Sequence, residues 1–494
     1  MNMDKPIRRV AIFGLLLFFG LMAQVNYVQG SQAESLRTSD LNTRRFSEVF
    51  NNPRGQITAD GQVLVKSFPT GKDNPKYGRT YKDGLLFSPV TGYFNGGASK
   101  VEMAYNSLLG GTDKRITRQR WFDTFIGKKP EGADLELTLN TAAQQTAYRR
   151  LQAQTSQGRR GGVAVIDVKT GAVVVLASFP SFDPNEVAPQ TGLKGGRRLE
   201  QLDAQTGVVK PLIDNAMSQT FPPGSTFKIV TSAIAMDGGE LNSRSQVPTG
   251  QLILPESNQP LRNSHDTGQC GGTATLRGAF AESCNTTFGK LAMDMGIEKL
   301  NQGATKFGFN RKFEIEPDVQ PAESDVPIEF FDPATKKKVR TGSDGTARSG
   351  IGQENVRATP LQMAMVAAAV ANNGKIMKPY LVERARAKDQ SELYRAQPQE
   401  YAQAMKADTA DQLADMMRAV VTEGTAKNLA QFGIAGKTGT AEQGEGDPNA
   451  RWFVGFAPMQ KPRYAFAVVT EGPESGGANA GPIAGQVMAQ VLKK

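Results

Sequence analysis

Residues 10–28 form a nearly unbroken apolar run without a charged side chain, and this run divides what the chain can become. Its length approaches the ~20 residues that a membrane-crossing helix needs. Gln24 and Asn26 sit near its end, where an interface tolerates them. Lys5, Arg8 and Arg9 precede it, so residues 1–9 are expected in the cytoplasm and the bulk of the chain outside. A cleaved signal peptide with a small-residue site around Val28-Gln29-Gly30 is the alternative. Its apolar core is usually shorter, about 7–15 residues.

The 494 residues are 39% hydrophobic and 21% charged, the balance of a folded chain. That length has room for roughly two to four domains. The formal charge is +10, but no dense basic tract is interleaved with aromatics, so nucleic acid is not implied. Anionic lipid heads or envelope polymers are the milder reading of that charge. With His265 the one histidine and Cys270 and Cys284 the two cysteines, a protein-built zinc site lacks ligands and no metal or cofactor is expected. Outside the cytoplasm, cysteines so spaced can close a short disulfide loop.

Residues 29–134 are polar, Gly-rich and short on periodicity. A strand–turn–strand around 52–61 and a helix over 102–109 suit a small pedestal. Residues 135–139 alternate like a strand, and Thr141 is placed to cap a helix to 154. The runs 162–167 and 172–178 read as a hairpin; 192–209 reads as a charged loop. Helices are expected at 276–281, from 285 onward through Phe288, Leu291, Ala292 and Met295, at 359–370, 411–421 and 484–492. Residues 313–346, rich in Pro and Asp, read as a surface excursion. Strand-like runs at 433–441, 452–457 and 464–470 complete the chain, which has no internal repeat. Strands thus come from both ends of 135–494 with helices between, which argues for one large α+β domain.

Within it, Phe221-Pro-Pro-Gly-Ser-Thr-Phe-Lys228 places breakers before an unbroken helix-forming run from Ser225 to Met236. Ser225 is then in a first helical turn, where free N–H groups and the dipole favour a developing anion. Lys228, three residues on, shares its face and is expected within reach of the hydroxyl. A serine needs a proton acceptor to become nucleophilic. Lysine serves only as the neutral amine, which burial and nearby cations favour. Taken alone, the pair reads as an ordinary helix cap and a lysine reaching water.

Two further signals follow in order, Ser283-x-Asn285 and Lys437-Thr438-Gly439. A second Lys-Thr-Gly at 169–171 precedes Ser225 and falls in the hairpin turn, so its context is structural. The ordered set resembles the penicillin-binding protein and serine β-lactamase superfamily, with its S-x-x-K, S-D-N and K-T-G motifs. Asp183-Pro184-Asn185, Thr359-Pro-Leu-Gln-Met363 and Trp452-Phe-Val-Gly-Phe456 resemble transpeptidase-domain sequence. Arg54-Gly55 and Glu102 are similar to motifs that couple the N-terminal module in class B enzymes. The likeness covers nearly the whole chain after the anchor and is greatest to the short actinobacterial penicillin-binding protein A type. The ~120 residues upstream of the catalytic region leave no room for a glycosyltransferase module.

The resemblance implies an antiparallel sheet flanked by helices over 135–494, on the 29–134 pedestal and the 10–28 anchor. It implies a peptidoglycan D,D-transpeptidase acting through an acyl-serine and inhibited by β-lactams. Ser225 is the implied nucleophile, Lys228 its base and Ser283 a proton relay. Asn285, Lys437, Thr438 and Gly439 hold the stem peptide; the Thr440 and Ser225 N–H groups form the oxyanion hole. Cysteine between Ser283 and Asn285 departs from the family's aspartate, and a Cys270–Cys284 bridge stiffening that loop is expected. Implied partners are stem peptides, β-lactams, the cytoplasmic membrane, and cell-wall synthesis or division proteins. Carboxypeptidase or β-lactamase activity shares the acylation step, and a non-catalytic scaffold or β-lactam sensor is the rival of another class.

Overall fold

The computed structural model describes residues 4–32, 49–119, 131–155, 158–207, 209–264, 266, 268–332, 335–444, 448–472 and 475–493. The apolar run lies in a helix, Asp4–Tyr27, whose segment Ile7–Tyr27 is long and apolar enough to cross a membrane.

One sheet has five strands, ordered Ala435–Ala441, Ala450–Ala457, Tyr464–Glu471, Gly161–Asp167 and Val173–Phe179. Every neighbouring pair is antiparallel. Strands Ala450–Ala457 and Tyr464–Glu471 are buried at each position, as a sheet covered on both faces requires. Helix Pro360–Ala371 packs across the middle strands, and Thr141–Gln154 with Ala480–Val491 forms another layer. Pro360–Ala371 is apolar around its circumference and buried almost throughout, with the Thr359 side chain capping Gln362 N–H.

The six-stranded sheet is mixed and runs Glu392–Arg395, Val382–Arg386, Asp134–Leu137, Ile57–Ala59, Gln62–Pro69, Tyr77–Tyr81. The strand expected at 135–139 thus joins the pedestal sheet, parallel to Ile57–Ala59 and antiparallel to Val382–Arg386. Glu102 is fully buried beneath this sheet, 2.8 Å from Arg54 Nη2 and 2.7 Å from Arg79 Nε, with the Tyr81 hydroxyl donating at 3.2 Å.

Three local expectations need correction. The stretch 192–209 contains helix Leu193–Asp203, because Leu199 and Leu202 pack on Phe182 and Val187, partners that local sequence does not reveal. Asn140, not Thr141, caps the helix Thr141–Gln154 by accepting from Ala143 N–H. The 313–346 excursion carries an exposed hairpin, Glu329–Asp332 with Lys337–Arg340, but Ile315, Glu316, Val319 and Val326 are core. The Glu316 carboxylate there accepts from the Tyr105 hydroxyl and from the Leu381 and Val382 N–H groups.

Candidate active site

Phe221 opens the nucleophile segment by exchanging both backbone bonds with Ala358, and Trp452 donates its indole N–H to Pro222 O at 2.9 Å. Gly224 then takes φ +52°, a left-handed value that suits glycine, and donates its N–H to Gly352 O at 2.8 Å. The chain enters a 3₁₀ turn, Gly224–Phe227, before the α-helix Lys228–Asp237. The unbroken helix expected from Ser225 is therefore two pieces. Side chains three apart eclipse in a 3₁₀ turn, so Ser225 and Lys228 share one face.

Close approach of strand Ala435–Ala441 shapes this turn. A Cβ on Gly439 would stand 2.8 Å from Pro223 O and 2.9 Å from Thr226 Cγ2; one on Gly224 would stand 2.5 Å from Thr440 O. The glycine of the third motif therefore lets the strand lie against the nucleophile turn itself.

Ser225 is half-buried and Lys228 fully buried. Lys228 Nζ donates to Ser283 O at 2.8 Å, Ser283 Oγ at 3.1 Å and Asn285 Oδ1 at 2.8 Å. These account for all three donors of an ammonium. Accordingly, no hydrogen bond joins Lys228 to the Ser225 hydroxyl among the described residues, contrary to the contact expected. Burial, and then the Lys437 charge, hold Lys228 well below its ordinary value. Lys437 is itself fully buried, and burial pulls it down to about 7.

Helix Leu276–Ala281 ends just before Ser283, whose φ of +63° is strained for a residue with a side chain. That conformation turns both its carbonyl and its hydroxyl toward Lys228. Cys284 precedes helix Asn285–Met295 and is bonded to Cys270, both buried. Asn285 Nδ2 donates to Arg262 O at 2.8 Å, which fixes the amide with its oxygen toward Lys228. Thr438 is half-buried, Thr440 exposed. His265 lies outside the described residues.

Segments around 225, 283 and 437 therefore meet. Several neighbours escaped sequence reasoning. Phe288 and Phe280 stand 5.4 and 5.7 Å from the Lys228 and Lys437 ammonium groups. Gly352 seats the nucleophile turn, and Thr425 Oγ1 lies 2.9 Å from Thr438 Oγ1. No local pattern assigns these positions to the site; each is brought there by a partner distant in sequence. The cluster can hold an uncharged amine among hydroxyls and an amide in a dry setting, which is a proton acceptor awaiting a nucleophile.

A family model described as "Penicillin binding protein transpeptidase domain" matches residues 161–489, and one described as "Penicillin binding protein A dimerisation domain" matches 54–135. The chain is 34% identical to the peptidoglycan D,D-transpeptidase PbpA of Mycolicibacterium smegmatis, over 100% of both chains. It is 32% identical to that of Mycobacterium tuberculosis, over 99% of each. Among solved structures, penicillin-binding protein A from M. tuberculosis as an imipenem acyl-enzyme complex superposes with TM-score 0.80 at 31% identity, covering 90% of this chain and 100% of that one. Its penicillin G acyl-enzyme complex gives 0.80 at 32% identity. The chain belongs to the penicillin-binding protein transpeptidase family.

Proposed function

We propose that this chain is a membrane-anchored peptidoglycan D,D-transpeptidase in which Ser225 forms the acyl-enzyme with a stem peptide ending in D-Ala-D-Ala. The observation that carries the reading is the buried Lys228 amine, held against Ser283 and Asn285 beneath the nucleophile turn. As the neutral amine Lys228 has two donors and a lone pair. Ser283 O and Asn285 Oδ1 occupy the donors, and the lone pair takes the Ser225 proton as Oγ attacks the penultimate D-Ala carbonyl. The Ser225 and Thr440 N–H groups receive the oxyanion; one such donor is typically worth about 2.7–4 kcal/mol. Collapse breaks the peptide bond, and Ser283 passes its proton to the leaving D-Ala amine while the Lys228 ammonium, 3.1 Å away, replaces it and becomes neutral again. An amine from a neighbouring stem then attacks the ester, giving its proton through Lys228 to Ser225 as the hydroxyl is restored. Asn285 holds the donor peptide group, and Lys437 with Thr438 holds its carboxylate; β-lactams enter by the same route.

In this reading residues 1–9 are a cytoplasmic tail, 10–28 the anchor, 29–134 the pedestal and 135–494 the transpeptidase domain outside the membrane. The charges at Lys5, Arg8 and Arg9 support that orientation. Stem peptides and β-lactams are the ligands, and cell-wall synthesis or division proteins are the partners. Labelling with fluorescent penicillin followed by peptide mapping tests the assignment. A single modified peptide containing Ser225, absent in Ser225→Ala, is expected; label elsewhere, or label retained by the variant, removes it. In cells, Ser225→Ala matching a deletion separates catalysis from scaffolding, because a scaffold is rescued by the variant.

A further inference from the structure

Thr425 lies on the loop between helix Ala407–Thr422 and strand Ala435–Ala441. It belongs to no motif, yet it ties two of them together. Its N–H donates to Ala281 O at 3.2 Å, at the end of the helix that leads to Ser283. Gly424 must be glycine there, since a Cβ would stand 2.2 Å from Ala281 O. Glu423 is gripped through both oxygens by Arg277 of the same helix, at 2.9 and 2.7 Å. The loop is thus fixed from below, and Thr425, exposed, presents Oγ1 at 2.9 Å from Thr438 Oγ1.

We propose that Thr425 is a positioning residue for carboxylate recognition, acting by donating its hydroxyl proton to Thr438 Oγ1. The inference rests on the reading of Thr438 as a donor to the substrate carboxylate. A hydroxyl carries one proton. When an anion arrives, Thr438 spends that proton on it, so the 2.9 Å contact can persist only if Thr425 is the donor. The incoming charge thereby sets the direction of an otherwise ambiguous hydrogen bond. Each bond in such a chain polarises the next, so the outer hydroxyl strengthens the inner one's grip. Thr425 touches no reacting atom in this scheme. Its contribution falls on binding of the acid, not on the acylation step.

The test uses the full chain in detergent, with penicillin G and its methyl ester as probes, and separates the apparent Kd from the acylation rate constant. Thr425→Val, which keeps shape and removes the hydroxyl, is expected to raise the penicillin G Kd about 3- to 10-fold, the range of one neutral hydrogen bond. The acylation rate constant stays put, the methyl ester is unaffected and Thr425→Ser restores the parent value. An unchanged Kd, or equal losses for acid and ester, overturns the proposal. If the valine fails to fold, judged by its melting temperature, Thr425→Ala is read by the same criteria. Thr438→Val keeps the two failures apart. Should it not distinguish acid from ester, the reading of Thr438 falls. Should it do so while Thr425→Val does not, only the Thr425 relay falls.

Discussion

Two buried lysines set the chemistry at the residue scale, and burial does most of the work on both. Lys228 is held far below its ordinary value by desolvation and then by Lys437; Lys437 comes down to about 7 by desolvation alone. For a base, a lowered value means that the cation is present below it and lost as pH rises through it. The two groups therefore pull in opposite directions. Raising pH favours the neutral Lys228 that attack needs, while above about 7 it removes the Lys437 charge that would hold a carboxylate. The expected outcome is an apparent Kd for penicillin G that weakens above pH 7, approaching about tenfold per unit. Acylation at saturation should not fall over the same range. Rapid-quench labelling from pH 6 to 9 checks this, and a Kd flat across it would show that Lys437 stays charged.

At the scale of elements, the nucleophile turn is where strand, loop and helix come closer than side chains permit. Gly439 faces Pro223 O and Thr226; Gly352, at φ +72°, faces Gly224 O, which would stand 2.2 Å from its Cβ. Gly439→Ala must push the strand off the turn, moving the Thr440 N–H from the place where an oxyanion would form. A displacement of ~1 Å can cost about 100-fold. A penicillin acylation rate lower by about that factor, with Tm lowered as well, is the expected result; a variant within twofold of the parent would mean that the turn gives way freely. Sequence showed these elements unevenly, for physical reasons. Helix Leu276–Ala281 and the hairpin over 161–179 were legible because their patterns are local. So was the ordered placement of Ser225, Lys228, Ser283, Asn285 and Lys437. The 3₁₀ turn at Ser225, the strained φ of Ser283 and the Thr425 contact were not, since each is imposed by a segment far along the chain.

For the whole molecule, the six-stranded sheet decides how pedestal and catalytic region share stability. Strand Asp134–Leu137 lies between Ile57–Ala59 and Val382–Arg386, so the sheet is completed from both regions. Tyr105 of the pedestal also donates to Glu316, whose carboxylate takes the Leu381 and Val382 N–H groups. A pedestal that unfolds alone would leave the Val382–Arg386 edge and the Glu316 carboxylate without these partners. Loss of the buried Glu102 charge should therefore be felt throughout. Burial raises the Glu102 carboxyl, and Arg79 and Arg54 more than reverse this, leaving it below its ordinary value. For an acid so lowered, the stabilisation is complete above the unfolded value of 4.5 and is lost as pH falls through the folded one. Glu102→Gln removes the charge at every pH and strands two buried guanidinium groups, a cost of about 3–5 kcal/mol. The expected result at neutral pH is one thermal transition, moved down, with the fluorescent-penicillin signal disappearing along it. Parent and variant should converge as pH falls from 4.5 through the lower folded value, where the parent loses the same charge. Two separate transitions, with penicillin binding confined to the upper one and unmoved, would mean that the catalytic region stands without its pedestal.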